Sequence, residues 1–114
     1  AYSVAGLGRF RVNLLMQRSS VGIVMRHVKA TVLSFDDLHL PPAMEKISNL
    51  PRGLCLITGT TGSGKSTTLA ALIDKINQQR RMHIVTLEDP IEYLHTNKKS
   101  IITQREIGID TANF

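Results

Sequence analysis

Residues 59–66 have the sequence Gly59-Thr60-Thr61-Gly62-Ser63-Gly64-Lys65-Ser66, which matches the pattern G-x-x-x-x-G-K-[ST] at every position. The apolar run that precedes it, residues 54–58, predicts a short buried parallel strand. Apolar residues at helical spacing follow it and predict a helix from about Lys65 to Gln79: Leu69, Leu72, Ile73 and Ile76. A strand, a glycine-rich loop and a helix in this order are the setting in which the pattern binds phosphate.

The residue types of this loop suit an anionic ligand. Glycines allow consecutive backbone N–H groups to face one anion, and the helix N-terminus adds a partial positive charge. We expect Lys65 to reach the β- and γ-phosphates of a nucleotide and the Ser66 hydroxyl to bind Mg²⁺. The alternative is a flexible Gly/Ser/Thr turn. The expected nucleotide contacts are Gly59, Thr60, Thr61, Gly62, Ser63, Gly64, Lys65, Ser66 and Thr67.

A second apolar run, His83 to Leu87, predicts another strand, which Glu88-Asp89-Pro90 ends. We expect these strands and the helix between them to form a right-handed βαβ unit over a parallel pair. The acidic strand end would then face the same crevice as the loop. Glu92 or Glu88 could orient the water that attacks a γ-phosphate or hold an Mg²⁺-bound water, or the segment could be a solvated loop.

The basic residues are unevenly distributed. The net charge is +5, and residues 1–35 contain five of the 14 basic residues and none of the nine acidic ones. Alternation predicts a strand over 8–17, and β-branched residues predict a second over 21–28, so that the two form a hairpin. Beyond it we expect a linker, a short helix at about 42–49 and a further strand at 100–104.

The arginines of the hairpin allow three interpretations. Arg9, Arg11 and Arg26 could neutralise charge on a nucleotide, bind nucleic acid, or form a solvated sheet face. Nucleic acid is disfavoured because only Phe10 accompanies them and no stacking platform is visible. The four histidines lack ligand spacing, which argues against a metal site built on them.

Other features exclude whole classes of protein. The single cysteine, Cys55, rules out an intramolecular disulfide and is expected to be a small core residue. No apolar run approaches the length that spans a bilayer. A GTPase would need an Asn-Lys-x-Asp base reader and an ABC-type ATPase Leu-Ser-Gly-Gly, and both are absent from the sequence. A small-molecule kinase would need a lid with its own arginines after the loop.

Three segments together resemble the type II/type IV secretion ATPase family, and within it the retraction ATPases of type IV pili. They are the 53–71 segment around the loop, His83-Ile84-Val85-Thr86-Leu87-Glu88-Asp89-Pro90-Ile91-Glu92-Tyr93, and the run Ile101 to Thr111. The last run, with 8–13 and Gln17-Arg18, resembles the PilU type more than the PilT type.

This resemblance implies an α/β fold, the N-terminal part of a RecA-like P-loop ATPase core preceded by the last β-hairpin of a PAS-like domain. The implied boundaries are 1–29 for the end of the PAS-like domain, 30–41 for a linker and 42–114 for the first part of the ATPase domain. The carboxylate that matches Glu92 is catalytic in the family, and arginines that match Arg11 and Arg26 approach the nucleotide. The family's Walker B segment and His box have no counterpart in these 114 residues. We therefore expect a fragment that is inactive alone.

The family also implies a setting: a homohexamer that binds ATP and Mg²⁺ in the cytoplasm, docked at the inner-membrane face. Its implied partners are the inner-membrane platform protein of the pilus and a paralogous retraction ATPase. Its implied work is fibre depolymerisation, which drives twitching motility. Type II secretion and pilus extension remain alternatives within the family, and a nucleotide-dependent nucleic-acid-binding protein remains one outside it.

Overall fold

A computed structural model describes residues 2–28 and 31–114. In chain order the elements are β1 (Tyr2–Val4), β2 (Gly8–Gln17), β3 (Ser20–Val28), α1 (Ala43–Ser48), α2 (Lys65–Gln79), β4 (His83–Glu88) and β5 (Ile101–Glu106).

The first three strands form an antiparallel sheet in the order β1-β2-β3, which confirms the predicted hairpin. Arg18 and Ser19 make its two-residue turn with positive φ angles of 49° and 62°, the conformation that matches the twist of paired strands. Strand β1 was not predicted, because three residues are too few to show a period.

One face of this sheet is uncovered. The even-numbered side chains of β2 from Phe10 onward are apolar, yet Leu14 and Met16 are 65% and 71% exposed. Within residues 2–28 and 31–114 no element packs over these two side chains. The alternation therefore identifies an apolar face of the strand, but it does not show which segment would bury that face.

The predicted strand over residues 54–58 is wrong for this structure. The segment is irregular, and Leu54 and Leu56 are 86% and 75% exposed. Cys55, expected in the core, is also exposed. A strand requires a hydrogen-bonded neighbour, and among the residues described none pairs with this run.

The predicted βαβ unit fails for the same reason. The parallel pair is instead β4 with β5, in register from His83↔Ile101 to Glu88↔Glu106. Irregular chain over 89–100, not α2, connects its two strands. The helix itself begins and ends as predicted.

Helix α2 is fixed to the segment that precedes β5 by a buried amide. Asn77 is fully buried, its Nδ2 donates to the Thr96 carbonyl at 2.8 Å, and its Oδ1 accepts from the N–H groups of Lys98 and Ser100 at 3.1 and 3.3 Å. All polar atoms of the side chain are thus satisfied, as burial demands.

The two sheets are joined by an ion pair between β2 and β5. Arg9 Nη2 donates to Glu106 Oε2 at 3.0 Å, and Glu106 is only 5% exposed. The same oxygen accepts from the Ile91 N–H at 3.3 Å, so the hairpin is linked to the turn that follows β4. No helix within the described ranges has the length and apolarity to cross a bilayer.

Candidate phosphate-binding site

The loop before α2 has a backbone that requires glycine. Gly59 has φ 151°, and a Cβ built there would lie 2.6 Å from Ser63 Oγ. Gly62 and Gly64 have φ angles of 79° and 91°, in the left-handed region that side chains disfavour. The chain therefore turns tightly into the helix, and at these three glycines no Cβ atom shields the backbone from a ligand.

The first turn of α2 has free donors. Its N-cap is Gly64, no side chain caps it, and it contains no acidic residue. Among the residues described, none accepts a hydrogen bond from the N–H groups of Lys65, Ser66 and Thr67. These groups and the helix dipole are suited to an anion.

The Lys65 side chain lies on the loop itself. Its Nζ donates to the Thr60 carbonyl at 2.7 Å. An ammonium has three N–H donors, so this contact leaves two for a phosphate.

The acidic segment lines a cavity of about 500 Å³. Ser66 lines it from α2, and Glu88, Asp89 and Glu92 line it from the end of β4 and the turn beyond. The structure thus brings Ser66, Glu88 and Glu92 to one cavity. Its remaining walls are mostly apolar side chains of α2 and β4.

Glu88 is held in place by two donors. Thr86 Oγ1 donates to its Oε1 at 2.7 Å, and Gln104 Nε2 donates to the same oxygen at 3.0 Å. Glu92 is exposed. The structure therefore gives Glu88 a fixed orientation and leaves Glu92 accessible to solvent.

The buried Tyr93 connects the acidic turn to the helix. The Tyr93 hydroxyl lies 2.8 Å from Thr67 Oγ1. The hydroxyl of Thr67, which the sequence predicts to contact the nucleotide, therefore already has a hydrogen-bond partner. Thr67 lies next to Ser66, and Tyr93 lies next to Glu92. The bond joins the first turn of α2 to the acidic turn.

His95 lines the same cavity. Burial lowers its pKa below the ordinary 6.5, and the opposing effects of the nearby Glu88 and Asp74 carboxylates are smaller. Its Nδ1 is buried and has no hydrogen-bond partner among the described residues.

A second cavity, of about 190 Å³, lies between the hairpin and the acidic turn. Arg11 and Arg26, cross-strand partners on β2 and β3, line it together with Glu92. The two cavities share Pro90, Glu92 and Tyr93. The structure therefore brings both predicted arginines near the acidic turn, whereas Arg9 pairs with Glu106 instead.

Sequence reasoning did not single out Gln104, Glu106 or Tyr93. Their roles depend on contacts between β5, the turn after β4 and distant segments, and no local pattern reports such contacts. The only available signal was that all three residues lie within the runs used for the family resemblance.

A family profile described as Type II/IV secretion system protein matches residues 5–114. Over 114 residues the chain is 46% identical to the Type IV pilus retractation ATPase PilT of Pseudomonas aeruginosa, covering all of this chain and 33% of that protein. It is 45% identical to the Type IV pilus ATPase PilU of the same organism, covering all of this chain and 30% of that protein. The chain thus spans about a third of the length of these relatives, and the predicted preference for the PilU type stays a prediction.

Two solved structures share the fold. The pilus retraction motor PilT with bound ADP matches with a TM-score of 0.94 and 50% identity, over 97% of this chain and 32% of that one. The ATPase DotB of Legionella pneumophila matches with a TM-score of 0.82 and 26% identity, over all of this chain and 34% of that one. The mixed sheet and helix arrangement described above is therefore the arrangement of these ATPases.

Proposed function

The chain belongs to the type II/IV secretion system protein family, and on that premise we propose that it binds and hydrolyses ATP as part of a type IV pilus motor. One observation carries the proposal. Ser66, at the uncapped N-terminus of α2, shares a cavity with Glu88 and Glu92. Unpaired N–H donors and carboxylates on opposite sides of one cavity suit a triphosphate, its cation and an attacking water.

The residues fit ATP and Mg²⁺ by their chemistry. The glycine backbone of 59–64 and the free N–H groups of 65–67 supply anion donors, and the loop has no Cβ at the positions of tightest turn. The Ser66 hydroxyl and the carboxylates across the cavity are hard oxygen donors of the kind Mg²⁺ prefers. Bound Mg²⁺ would neutralise phosphate charge, with Ser66 as its ligand.

Each side chain has a distinct task in this proposal. Lys65 contacts the β- and γ-phosphates with the N–H donors that the Thr60 carbonyl leaves free. Glu92 orients and deprotonates the attacking water. Glu88, which Thr86 and Gln104 hold in place, would position a water bound to Mg²⁺. Arg11 and Arg26, across the smaller cavity from Glu92, neutralise charge that grows as the phosphoryl group leaves.

The wider setting follows the relatives. We place the chain in pilus retraction, with residues 1–29 as the end of a PAS-like domain, 30–41 as a linker and 42–114 as the first part of a RecA-like core. The assembly would be a cytoplasmic homohexamer at the inner membrane, partnered by the platform protein and a paralogous retraction ATPase. The 46% identity to PilT exceeds the 34% to the type II secretion system protein E of Xanthomonas campestris, which favours retraction over secretion.

The test is Lys65→Ala in the full-length protein that carries this sequence. Removing the ammonium should lower ATP turnover at least about 10²-fold, because it removes a charge that meets the transferring phosphoryl group. Phosphate release measures turnover, and a thermal melt checks that the fold persists. Lys46→Ala, on the exposed face of α1, is the matched control and should keep wild-type turnover. Near-normal turnover in Lys65→Ala would overturn the proposal.

A further inference from the structure

Both polar atoms of the Gln104 side chain, on β5, form hydrogen bonds with the acidic segment and the turn that follows it. Its Nε2 donates to Glu88 Oε1 at 3.0 Å and to the Tyr93 carbonyl at 2.8 Å. Its Oε1 accepts from the His95 N–H at 2.9 Å. One half-buried side chain thus contacts the end of β4 and two points of the turn that carries Glu92.

The first consequence concerns the orientation of Glu88. Thr86 and Gln104 are register partners on β4 and β5, so their side chains lie side by side on one face of the parallel pair. Both donate to Glu88 Oε1. Glu88 Oε2 has no hydrogen-bond partner in the part of the chain that the structure describes, and it is the oxygen left for a ligand in the cavity.

The second consequence concerns the distance between the acidic turn and the phosphate loop. Gln104 holds the main chain of Tyr93, and the Tyr93 hydroxyl contacts Thr67 in the first turn of α2. A continuous series of hydrogen bonds therefore runs from β5 through Tyr93 to the residue beside Ser66. Losing Gln104 would free both Glu88 and the turn from this series.

We propose that Gln104 is a positioning residue for ATP hydrolysis, which fixes Glu88 and the Glu92 turn relative to the first turn of α2. The inference rests on the proposed function. An amide is the required chemistry, because the three contacts need two N–H donors and one acceptor on the same terminal group. A carboxylate supplies only acceptors when ionised, and leucine supplies neither.

The molecule contains its own matched control. Asn77 is also an amide with three main-chain partners, but they lie in the segment 96–100 ahead of β5, and none of them lines the cavity. Asn77→Asp should lower the melting temperature and leave the kcat of the folded protein unchanged. A purely structural role for Gln104 predicts the same behaviour.

The experiment compares Gln104→Leu, Gln104→Glu and Asn77→Asp in the full-length protein, below the melting temperature of each. We expect kcat for ATP to fall by about 10- to 100-fold in both Gln104 variants, as is typical when a residue that orients a functional group is lost. The KM for ATP should stay within about twofold, because the loop still binds phosphate.

The pH profile gives a sharper distinction. In Gln104→Glu the introduced carboxylate faces Glu88, and a proton shared between the two at low pH restores one donor. The kcat of this variant relative to wild type should therefore recover as pH falls, whereas Gln104→Leu should show no recovery. Amide hydrogen exchange at His95 should accelerate in Gln104→Leu and stay slow in Gln104→Glu, which keeps the acceptor.

Three results would overturn the inference. They are wild-type kcat in both Gln104 variants with only a lower melting temperature, a rise in KM without a fall in kcat, and no difference between the two pH profiles. Any of them in an active wild-type protein overturns the role of Gln104 and leaves the proposed function standing. A wild-type protein without ATP turnover overturns both.

Discussion

At the scale of single residues, Glu92 is the carboxylate to which we assign the attacking water. It is exposed, borders both cavities and has no hydrogen bond among the described residues. If it orients the attacking water, Glu92→Gln should bind Mg-ATP normally and turn over about 10²–10⁴-fold more slowly, because the amide cannot accept the proton. Nucleotide titration and phosphate release measure the two quantities.

The control for this charge change is Asp36→Asn, an exposed carboxylate ahead of α1 that borders neither of these cavities. It should affect neither quantity. Failure of Glu92→Gln to bind Mg-ATP would instead assign Glu92 to the metal, and unchanged turnover would make Glu88 the candidate base.

His95 predicts how stability depends on pH. Its pKa is lowered by burial, so the unfolded chain binds more protons than the folded chain once pH falls below about 6.5. The free energy of unfolding should therefore decrease as pH falls from 6.5, with a slope of at most about 1.4 kcal/mol per pH unit from this group. Urea titrations between about pH 5 and 8 measure it, a range in which carboxylates contribute little.

The comparison for that slope is His95→Gln, which cannot be protonated. Its unfolding free energy should vary less between pH 5 and 6.5 than that of the wild type. Equal slopes in the two proteins would show that another group, and not His95, titrates in this range.

At the scale of elements, the hairpin of β2 and β3 presents Arg11 and Arg26 to the acidic turn. If these arginines meet charge that develops only during phosphoryl transfer, Arg11→Ala and Arg26→Ala should lower kcat more than they raise KM. Arg81→Ala, exposed ahead of β4, is the matched control. Steady-state kinetics of the full-length variants provide the measurement.

The same variants test the other interpretations of the hairpin. A nucleic-acid surface would leave ATP turnover intact and lose a salt-dependent affinity for DNA. A solvated sheet face would change neither property. Unchanged kcat in both variants would contradict the proposed catalytic role.

At the scale of the whole molecule, the 114 residues place the loop, the acidic turn and the arginines together but leave large apolar surfaces uncovered. Leu54 and Leu56 beside the loop, and Leu14 and Met16 on the first sheet, are mostly exposed. We expect the isolated chain to hydrolyse ATP far below the ordinary enzyme rate of about 1 s⁻¹, because the family's Walker B carboxylate has no counterpart in it. Turnover at that rate by the purified chain would contradict this expectation.

The sequence by itself determined the features that are local along the chain. The period of 3.6 residues placed α2, the alternation placed β2, the β-branched residues placed β3, and the spacing of glycines, Lys65 and Ser66 predicted a phosphate-binding loop. These features depend on residues within a few positions of one another, so a linear pattern records them.

Only the tertiary structure decided which segments become neighbours. It paired β4 with β5 and left residues 54–58 unpaired, although 54–58 and β4 are both apolar runs. Hydrophobicity favours the burial of a segment but does not specify its hydrogen-bonding partner. It also joined Arg9 to Glu106, 97 positions apart, and placed Gln104 against Glu88. Such contacts form where folding brings distant polar groups to a common buried place, and each is stable only when the donors and acceptors of both segments match in three dimensions.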